Sequence, residues 1–491
     1  MTHSSTVRMI KETTSLCQVC KQGIPARIVE QDNKIIMHKR CEIHGEESVL
    51  LSSNAEWYHR TLKFPATLKA PRIVKSKIES GCPYDCGACE AHQQITYLPV
   101  LAITSSCNLD CPICYTINKN DNPYHMPKQE FAGILDVIKT NDPDMKIINI
   151  TGGEPTLHPE LPELIKMCHD AGIHRITVST HGLTFINNEK LLEQLAELNT
   201  RMVLSFDSFN DDINDKMIGA KVLKAKLKIL DLFEKYDIDT TLIPVIAKDV
   251  NDNELGQLIE LLFTRDCIRS LEIHSMTFTG QGGTGFDLDS RITTYDIIKS
   301  IEKYSSGVIQ VDDFLPSPCA HPLCYQTCYL LETEDKGFIP FSKFMSHEQI
   351  RTLLTDNLYM EPGRKLEQVF QDVINQLWAS DMPNSITDSI LRSIKNNLNA
   401  MFPSRAISYA EQQRISERSA KTIYIHSHMD EHNFDTDRIR QCCVGVPAAD
   451  GGNIPTCAYN ILYRERDSRF VTRFPKPLSE LQGGVIVNLE R

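Results

Sequence analysis

Residues 97–116 read YLPVLAITSSCNLDCPICYT. An apolar run of strand length ends in two serines, and three cysteines follow at once as Cys107-x3-Cys111-x2-Cys114. Three thiolates on one loop can hold three irons of a [4Fe–4S] cube and leave the fourth without a protein ligand. An open iron can take a cofactor or substrate, just as a catalytic zinc keeps one position free. A structural zinc loop would instead show paired CxxC sets with a complete fourth ligand.

Working outward from this loop, strand and helix patterns alternate. KQEFAGILDVIKT is helical, MKIINITGG strand-like, ELPELIKMCHDAG helical and HRITVST strand-like. EKLLEQLAEL, RMVLSF, a long helical segment from 212 to 235, DTTLIPVIA, NELGQLIELLFT and RSLEIHSMT continue the rhythm. Short apolar strands alternating with amphipathic helices predict parallel βα units. The fold class expected is α/β, a partial (β/α)6 TIM-like barrel over 97–280. Polar residues gather where its strands should end. Thr151-Gly152-Gly153-Glu154-Pro155 offers glycines for close backbone approach and a carboxylate for an ammonium group. Ser179, Thr180 and His181 close the next strand, and Ser205 with Asp207, suited to ribose hydroxyls, closes the one after. Strand carboxyl ends are where βα folds place their active sites.

Fifteen of the seventeen cysteines fall in tight sets or complete one. In an unexported chain such clusters mean thiolate ligation of metal rather than disulfides. Residues 1–60 carry Cys17-x2-Cys20 and Cys41-x2-His44, a four-ligand knuckle for zinc or a single rubredoxin-type iron. Residues 61–96 are linker-like and hold Cys82-x3-Cys86-x2-Cys89. Residues 281–491 form a C-terminal α/β iron–sulfur accessory domain with Cys319, Cys324, Cys328, Cys442, Cys443 and Cys457. These nine cysteines suffice for two auxiliary cubes, and their partition between the cubes stays open. Cys168 and Cys267 stand alone and read as buried small hydrophobes. HSHMDEHNFD (426–435) shows no facial ligand spacing and reads as a polar loop near a cluster. The strand-and-turn segments 308–316 and 483–488 carry no legible chemistry.

Lysines and arginines number 52 against 64 acidic residues, a net charge of −12, which argues against a nucleic-acid partner. Hydrophobic residues at 41% allow a sizeable core, and no apolar run reaches the ~18–20 residues of a spanning helix. The first residues lack an apolar signal region, so a cytoplasmic location is expected.

With these motifs in place, the chain resembles the radical S-adenosylmethionine superfamily. SSCNLDCPICYT matches its cluster loop and TGGEP its methionine-amine motif, over roughly residues 97–280. In that family the open iron chelates S-adenosylmethionine, and an electron from the cluster generates a 5′-deoxyadenosyl radical. The resemblance implies Cys107, Cys111 and Cys114 as cluster ligands, and Gly152, Gly153 and Glu154 as the methionine-amine site. Ser205 and Asp207 would face the ribose, with Ser179 and Thr180 in the same cofactor site. One departure is Ile113, where the family usually has an aromatic residue; Tyr115 could share the adenine contact. The motif order across the chain is similar to tetraether lipid synthases and to class D radical methylases that act on a pterin. The first reading is therefore C–C bond formation on lipid chains. It carries a peripheral contact with the inner membrane face and an apolar tunnel lined by helices at 363–420. The alternative is methyl transfer to a pterin of the 7,8-dihydro-6-hydroxymethylpterin type or another small substrate. A third class is a non-catalytic iron–sulfur electron-transfer protein, which would need no TGGEP. Either enzyme implies an electron donor such as ferredoxin or flavodoxin.

Overall fold

Two neighbouring residues in the left-handed region, Asp32 and Asn33, turn the chain in the N-terminal hairpin, the geometry of a two-residue type I′ loop. Around it strands β1 (Arg8–Leu16), β2 (Gly23–Gln31), β3 (Lys34–Cys41) and β4 (Gly45–Ser52) form an antiparallel four-stranded sheet in sequence order. Helix α1 (Ala55–Leu62) follows, started by the Asn54 side chain accepting from the Trp57 N–H. The structure is a computed structural model that describes residues 7–116, 122–334, 337–379 and 384–470. The strand-like segment expected at 483–488 lies outside these residues.

From residue 98 parallel strands alternate with helices. They are β5 (Leu98–Thr104), α2 (Lys128–Asn141), β6 (Ile147–Gly152), α3 (Leu161–Asp170), β7 (Arg175–Thr180), α4 (Glu189–Glu197) and β8 (Arg201–Ser205). Then come α5 (Asp211–Ile218), α6 (Leu223–Lys235), β9 (Thr240–Ile243), the two-residue β10 (Val245–Ile246), α7 (Leu255–Thr264) and β11 (Ile268–Ser275). β5, β6, β7, β8, β9 and β11 are hydrogen-bonded in that order, all parallel. Side chains alternate faces along a strand. Ile148, Ile150, Ile176, Val178, Met202 and Leu204 point outward into the core beneath the helices. Asn149, Thr151, Thr177, Ser179, Val203 and Ser205 face a central cavity.

The sheet does not stop near residue 280. Beyond α8 (Thr294–Tyr304) the chain adds β12 (Leu315–Pro316), β13 (Tyr325–Glu332) and β14 (Phe338–Pro340). Helices α9 (His347–Leu354), α10 (Arg364–Trp378), α11 (Asn384–Met401) and α12 (Tyr409–Arg418) precede β15 (Ala420–His426), α13 (Thr436–Arg440), β16 (Val444–Pro447) and β17 (Asn453–Pro455). β15 lies parallel to β11 and antiparallel to β13, and β16 lies parallel to β5. The C-terminal third thus lengthens the barrel sheet at both edges. Glu417 on α12, ion-paired with Arg175 at 2.9 Å and Arg201 at 2.6 Å, ties that helix to the starts of β7 and β8.

Among the described residues the lipid tunnel expected along the helices at 363–420 is not present. Leu366, Val369, Phe370, Val373, Leu377, Ile390 and Ile394 pack with Phe341, Ile350, Leu353 and with Tyr329 and Leu331 of β13, with Ile374, Leu391 and Leu398 at the edge. None of them lines the barrel cavity. The amphipathic stripes of α10 and α11 cover one another and the sheet, which consumes their apolar surface. No helix among the described residues is long and apolar enough to cross a membrane.

Candidate active site and metal centres

The ligands of the N-terminal knuckle lie in two turns at the same end of its sheet. Cys17 and Cys20 occupy the β1–β2 turn, which the Lys21 N–H closes onto the Cys17 carbonyl at 2.9 Å. Cys41 and His44 bracket the β3–β4 turn. One ligand atom from each of the four falls within 4.8 Å of the others. His44 Nδ1 is 3.4 Å from Cys17 Sγ and 3.5 Å from Cys41 Sγ. Backbone N–H groups of Ile43 and His44 aimed at the Cys41 sulfur hold its thiol down to about 6, so a thiolate is available for a cation.

Six strands carry their carboxyl ends to one cavity of about 360 Å³. Cys107, Cys111 and Cys114, all half-buried, line it together with Gly152, Gly153, Glu154, Ser179, Thr180, Ser205 and Asp207. The loop is shaped by its own backbone. The Cys114 N–H reaches the Cys111 carbonyl at 3.0 Å, and the Ile113 N–H reaches Met217 O at 3.1 Å. Ile113 itself packs against Met217, Ile218, Val222 and Ala247. The glycines serve this loop directly. A Cβ on Gly153 would stand 2.1 Å from Ser106 O, and one on Gly152 would stand 2.3 Å from Thr104 O. Without side chains, the Gly153 and Glu154 N–H groups donate to Thr104 O and Ser106 O at 2.8 and 2.7 Å.

Glu154 is buried and held by its own chain. Its Oε1 accepts from the Thr156 N–H at 3.0 Å and the Thr180 hydroxyl at 2.7 Å, and its Oε2 from the His181 N–H at 2.9 Å. His181 Nε2 lies 3.2 Å from Oε2 and donates to Asn108 Oδ1 at 2.7 Å, while its Nδ1 accepts from Leu183. This chain joins the TGGEP loop to the cluster loop. What Glu154 offers the cavity is therefore a fixed negative charge. Ser179 donates to Asn149 Oδ1 at 3.0 Å. Ser205 Oγ and O both accept from Lys226 Nζ, at 2.9 and 2.6 Å, and Asp207 Oδ1 accepts from the Val245 N–H at 2.9 Å. Burial pushes the Asp207 carboxyl up and the Lys226 ammonium down to about 8, each opposed by the other's charge.

Lys226 was not foreseen. It is fully buried on α6 in register with Ile229, Leu230 and Phe233, so a lysine on the apolar stripe was its sequence signal. His274 was also missed. It ends β11 and meets His426 and His428, whose segment reads as a plain polar loop from its own spacing. The acidic members of that segment fasten loops. Asp430 accepts from the Phe278 N–H and Arg291, Glu431 pairs with Lys21, and Asp435 with Lys11.

The remaining cysteines separate into two neighbourhoods. Cys82, Cys86, Cys442 and Cys457 pack around Tyr463, Met429 and Leu462, with Cys89 close by. Cys319, Cys324 and Cys443 pack with Tyr97, Tyr325 and, again, Cys442. Burial raises the thiols of Cys86, Cys319, Cys442 and Cys443, and those of Cys82 and Cys457 to about 11, so as free thiols these six would stay neutral. Cys328 is a correction. It sits on the outward face of β13, in the apolar core with Leu330 and Ile423, while Tyr325 and Thr327 of the same strand face the cavity. The strand's two-residue period turns Cys328 away from the other thiols. Cys168 and Cys267 are buried core residues.

The sequence model of the radical SAM superfamily matches residues 101–262. That of the HMPTM N-terminal zinc ribbon domain matches residues 9–53, around Cys17, Cys20, Cys41 and His44. A 7,8-dihydro-6-hydroxymethylpterin dimethyltransferase of Methanocaldococcus jannaschii is 30% identical over 499 aligned positions, covering 96% of this chain and 97% of its own. A GTP 3′,8-cyclase of Campylobacter jejuni is 26% identical over 50% of this chain and 80% of its own. Among solved structures, Streptococcus suis SuiB bound to precursor peptide SuiA is 13% identical with a TM-score of 0.36, over 61% of this chain and 69% of that one. The cluster loop, the TGGEP loop and a full-length relative agree: the chain is a radical SAM enzyme and belongs to the family of the 7,8-dihydro-6-hydroxymethylpterin dimethyltransferase.

Proposed function

We propose that this enzyme methylates a pterin of the 7,8-dihydro-6-hydroxymethylpterin class, and that lipid chains are not its substrate. The cavity carries the reading. It measures about 360 Å³, within the range of small-molecule sites, and its walls present Asn149, Thr177, Ser179, Thr241 and Ser270. A bicyclic heterocycle fits this volume and can meet these groups, while Leu98, Val100, Ile147, Ile243 and Val444 supply apolar wall for its rings. The dimethyltransferase relative supports the same choice over the lipid alternative.

Cys107, Cys111 and Cys114 would hold a [4Fe–4S] cluster, and their placement on one loop facing the cavity fits such a group. When bound, the cluster and S-adenosylmethionine supply one-electron reductive cleavage and hydrogen abstraction. The chain's own part is positioning. Gly152 and Gly153 let the TGGEP backbone grip the cluster loop, and Glu154 sets a negative charge where a methionine ammonium would lie. Lys226 fixes Ser205 and neutralises Asp207 beside the ribose site. Cys82, Cys86 and Cys89 with Cys319, Cys324, Cys442, Cys443 and Cys457 offer eight buried or half-buried thiols, enough to close two auxiliary cubes. Bound iron would supply the positive charge their burial calls for. A small reductant protein such as ferredoxin or flavodoxin would deliver the electron.

Profiling pterins and lipids in a strain lacking the gene tests this. Methylated pterins should disappear while the lipid pattern stays as in the parent. Unchanged pterins with altered lipid coupling would return the assignment to lipid chains.

A further inference from the structure

We propose that His274, His426 and His428 form a mononuclear site for a zinc-class divalent cation in the barrel wall, apart from the ribbon and distinct from the thiol sets, with Cys457 Sγ 3.7 Å from His428 Nδ1 as its neighbour on the cysteine side. The three rings come from different elements: the end of β11, the end of β15 and the residue two beyond it. One ring nitrogen from each lies within 4.8 Å of the other two, and each residue is more than nine-tenths buried. Imidazole nitrogens at this convergence suit zinc and its neighbours in the first transition row.

Two further observations point to a ligand. His426 Nδ1 is buried with no hydrogen-bond partner among the described residues; Glu272 Oε1 stands 3.6 Å away, beyond bonding length. Such an orphaned polar atom is costly in a folded protein unless something fills its lone pair. Finally, the surroundings hold the rings in place as a metal site requires. Glu272 Oε1 lies 3.2 Å from His274 Nε2, Tyr325 stacks on His426 at 3.8 Å, and Tyr115 stacks on His428 at 5.5 Å. A carboxylate behind a ligating imidazole sets its tautomer and raises its basicity.

All three histidines line the cavity. With three protein ligands, a tetrahedral cation keeps one position for an oxygen or nitrogen donor of a small molecule held there. The site lies next to the cluster loop, because Tyr115 directly follows Cys114.

Zinc analysis of the full-length, cluster-reconstituted protein tests the proposal. A Cys17→Ser/Cys20→Ser variant removes the ribbon site and should retain one zinc per chain after dialysis. Its zinc-edge X-ray absorption should show only nitrogen and oxygen neighbours at about 2.0 Å. His274→Gln and His428→Ala, made in the wild-type ribbon, should each lower zinc by one per chain with the iron count and circular dichroism unchanged. Should the ribbon variant misfold, the His274→Gln zinc count decides by itself. A ribbon variant free of zinc, a sulfur neighbour in its zinc shell, or unchanged zinc in His274→Gln would each overturn the site. The imidazoles would then be a hydrogen-bonding set only.

Discussion

Cys82-x3-Cys86-x2-Cys89 and Cys107-x3-Cys111-x2-Cys114 share one spacing and live in different surroundings. The first loop is pinned by neighbours. The Tyr463 hydroxyl accepts from the Cys86 N–H at 3.0 Å and lies 2.8 Å from Pro83 O and 2.6 Å from Tyr84 O. Asp85 draws the N–H groups of Glu79, Ser80 and Gly81 onto its carboxylate. Its thiols face Leu462, Met429 and other cysteines. The second loop stands over the strand ends, is gripped by Gly153 and Glu154, and faces the cavity. Identical spacing therefore states only that three thiolates can meet a cluster. What lies opposite them determines whether a small molecule can reach it.

The largest contrast should come from the thiols. Cys111→Ala is expected to reduce 5′-deoxyadenosine formation to background. Cys86→Ala should lose iron yet keep the change that S-adenosylmethionine causes in the electron paramagnetic spectrum of the remaining cluster. The reverse outcome would exchange the roles of the loops. Next come the glycines. Gly153→Ala would place a methyl group 2.1 Å from Ser106 O, so it must displace the cluster loop and should cut S-adenosylmethionine affinity at least about tenfold. Gly81→Ala meets no atom within 4 Å but sits at φ +82°, so it should cost about 1 kcal/mol of stability and leave that affinity unchanged.

Lys226→Met tests the wiring behind the second loop. Losing three donated hydrogen bonds, to His181 O, Ser205 O and Ser205 Oγ, should slow 5′-deoxyadenosine formation by about 10- to 100-fold. The same pair carries a pH signature. The folded Lys226 releases its proton near 8, whereas the unfolded lysine keeps it to 10.5. Between these values the unfolded chain binds more protons, so wild-type stability relative to Lys226→Met should rise with pH. Denaturant midpoints at two pH values inside that window check the sign. No effect on the radical chemistry is expected from Tyr463→Phe, which leaves the Cys86 N–H without its acceptor. It should cost about 1–3 kcal/mol in the denaturant midpoint and spare S-adenosylmethionine cleavage.

Much of this was legible in the residues alone. Cys17, Cys20, Cys41 and His44 are each confined to one tight turn, so two spacings and one hairpin suffice to predict a four-ligand set. The radical loop and the βα rhythm are likewise local patterns, with periods of a few residues. Cys328 was not legible, because whether a strand cysteine points to the cavity or the core depends on which face of β13 the sheet covers. Nor was His274, whose partners stand more than 150 residues away and meet it only because β15 docks beside β11. The stripes of α10 and α11 announced amphipathic helices but not their partner, and packing against each other removed the tunnel they suggested. Ligand type and turn chemistry are written in short stretches, where a few bonds set the distances. Which faces meet across the sheet, and so what the cavity holds, is set by strand order and burial of the whole chain.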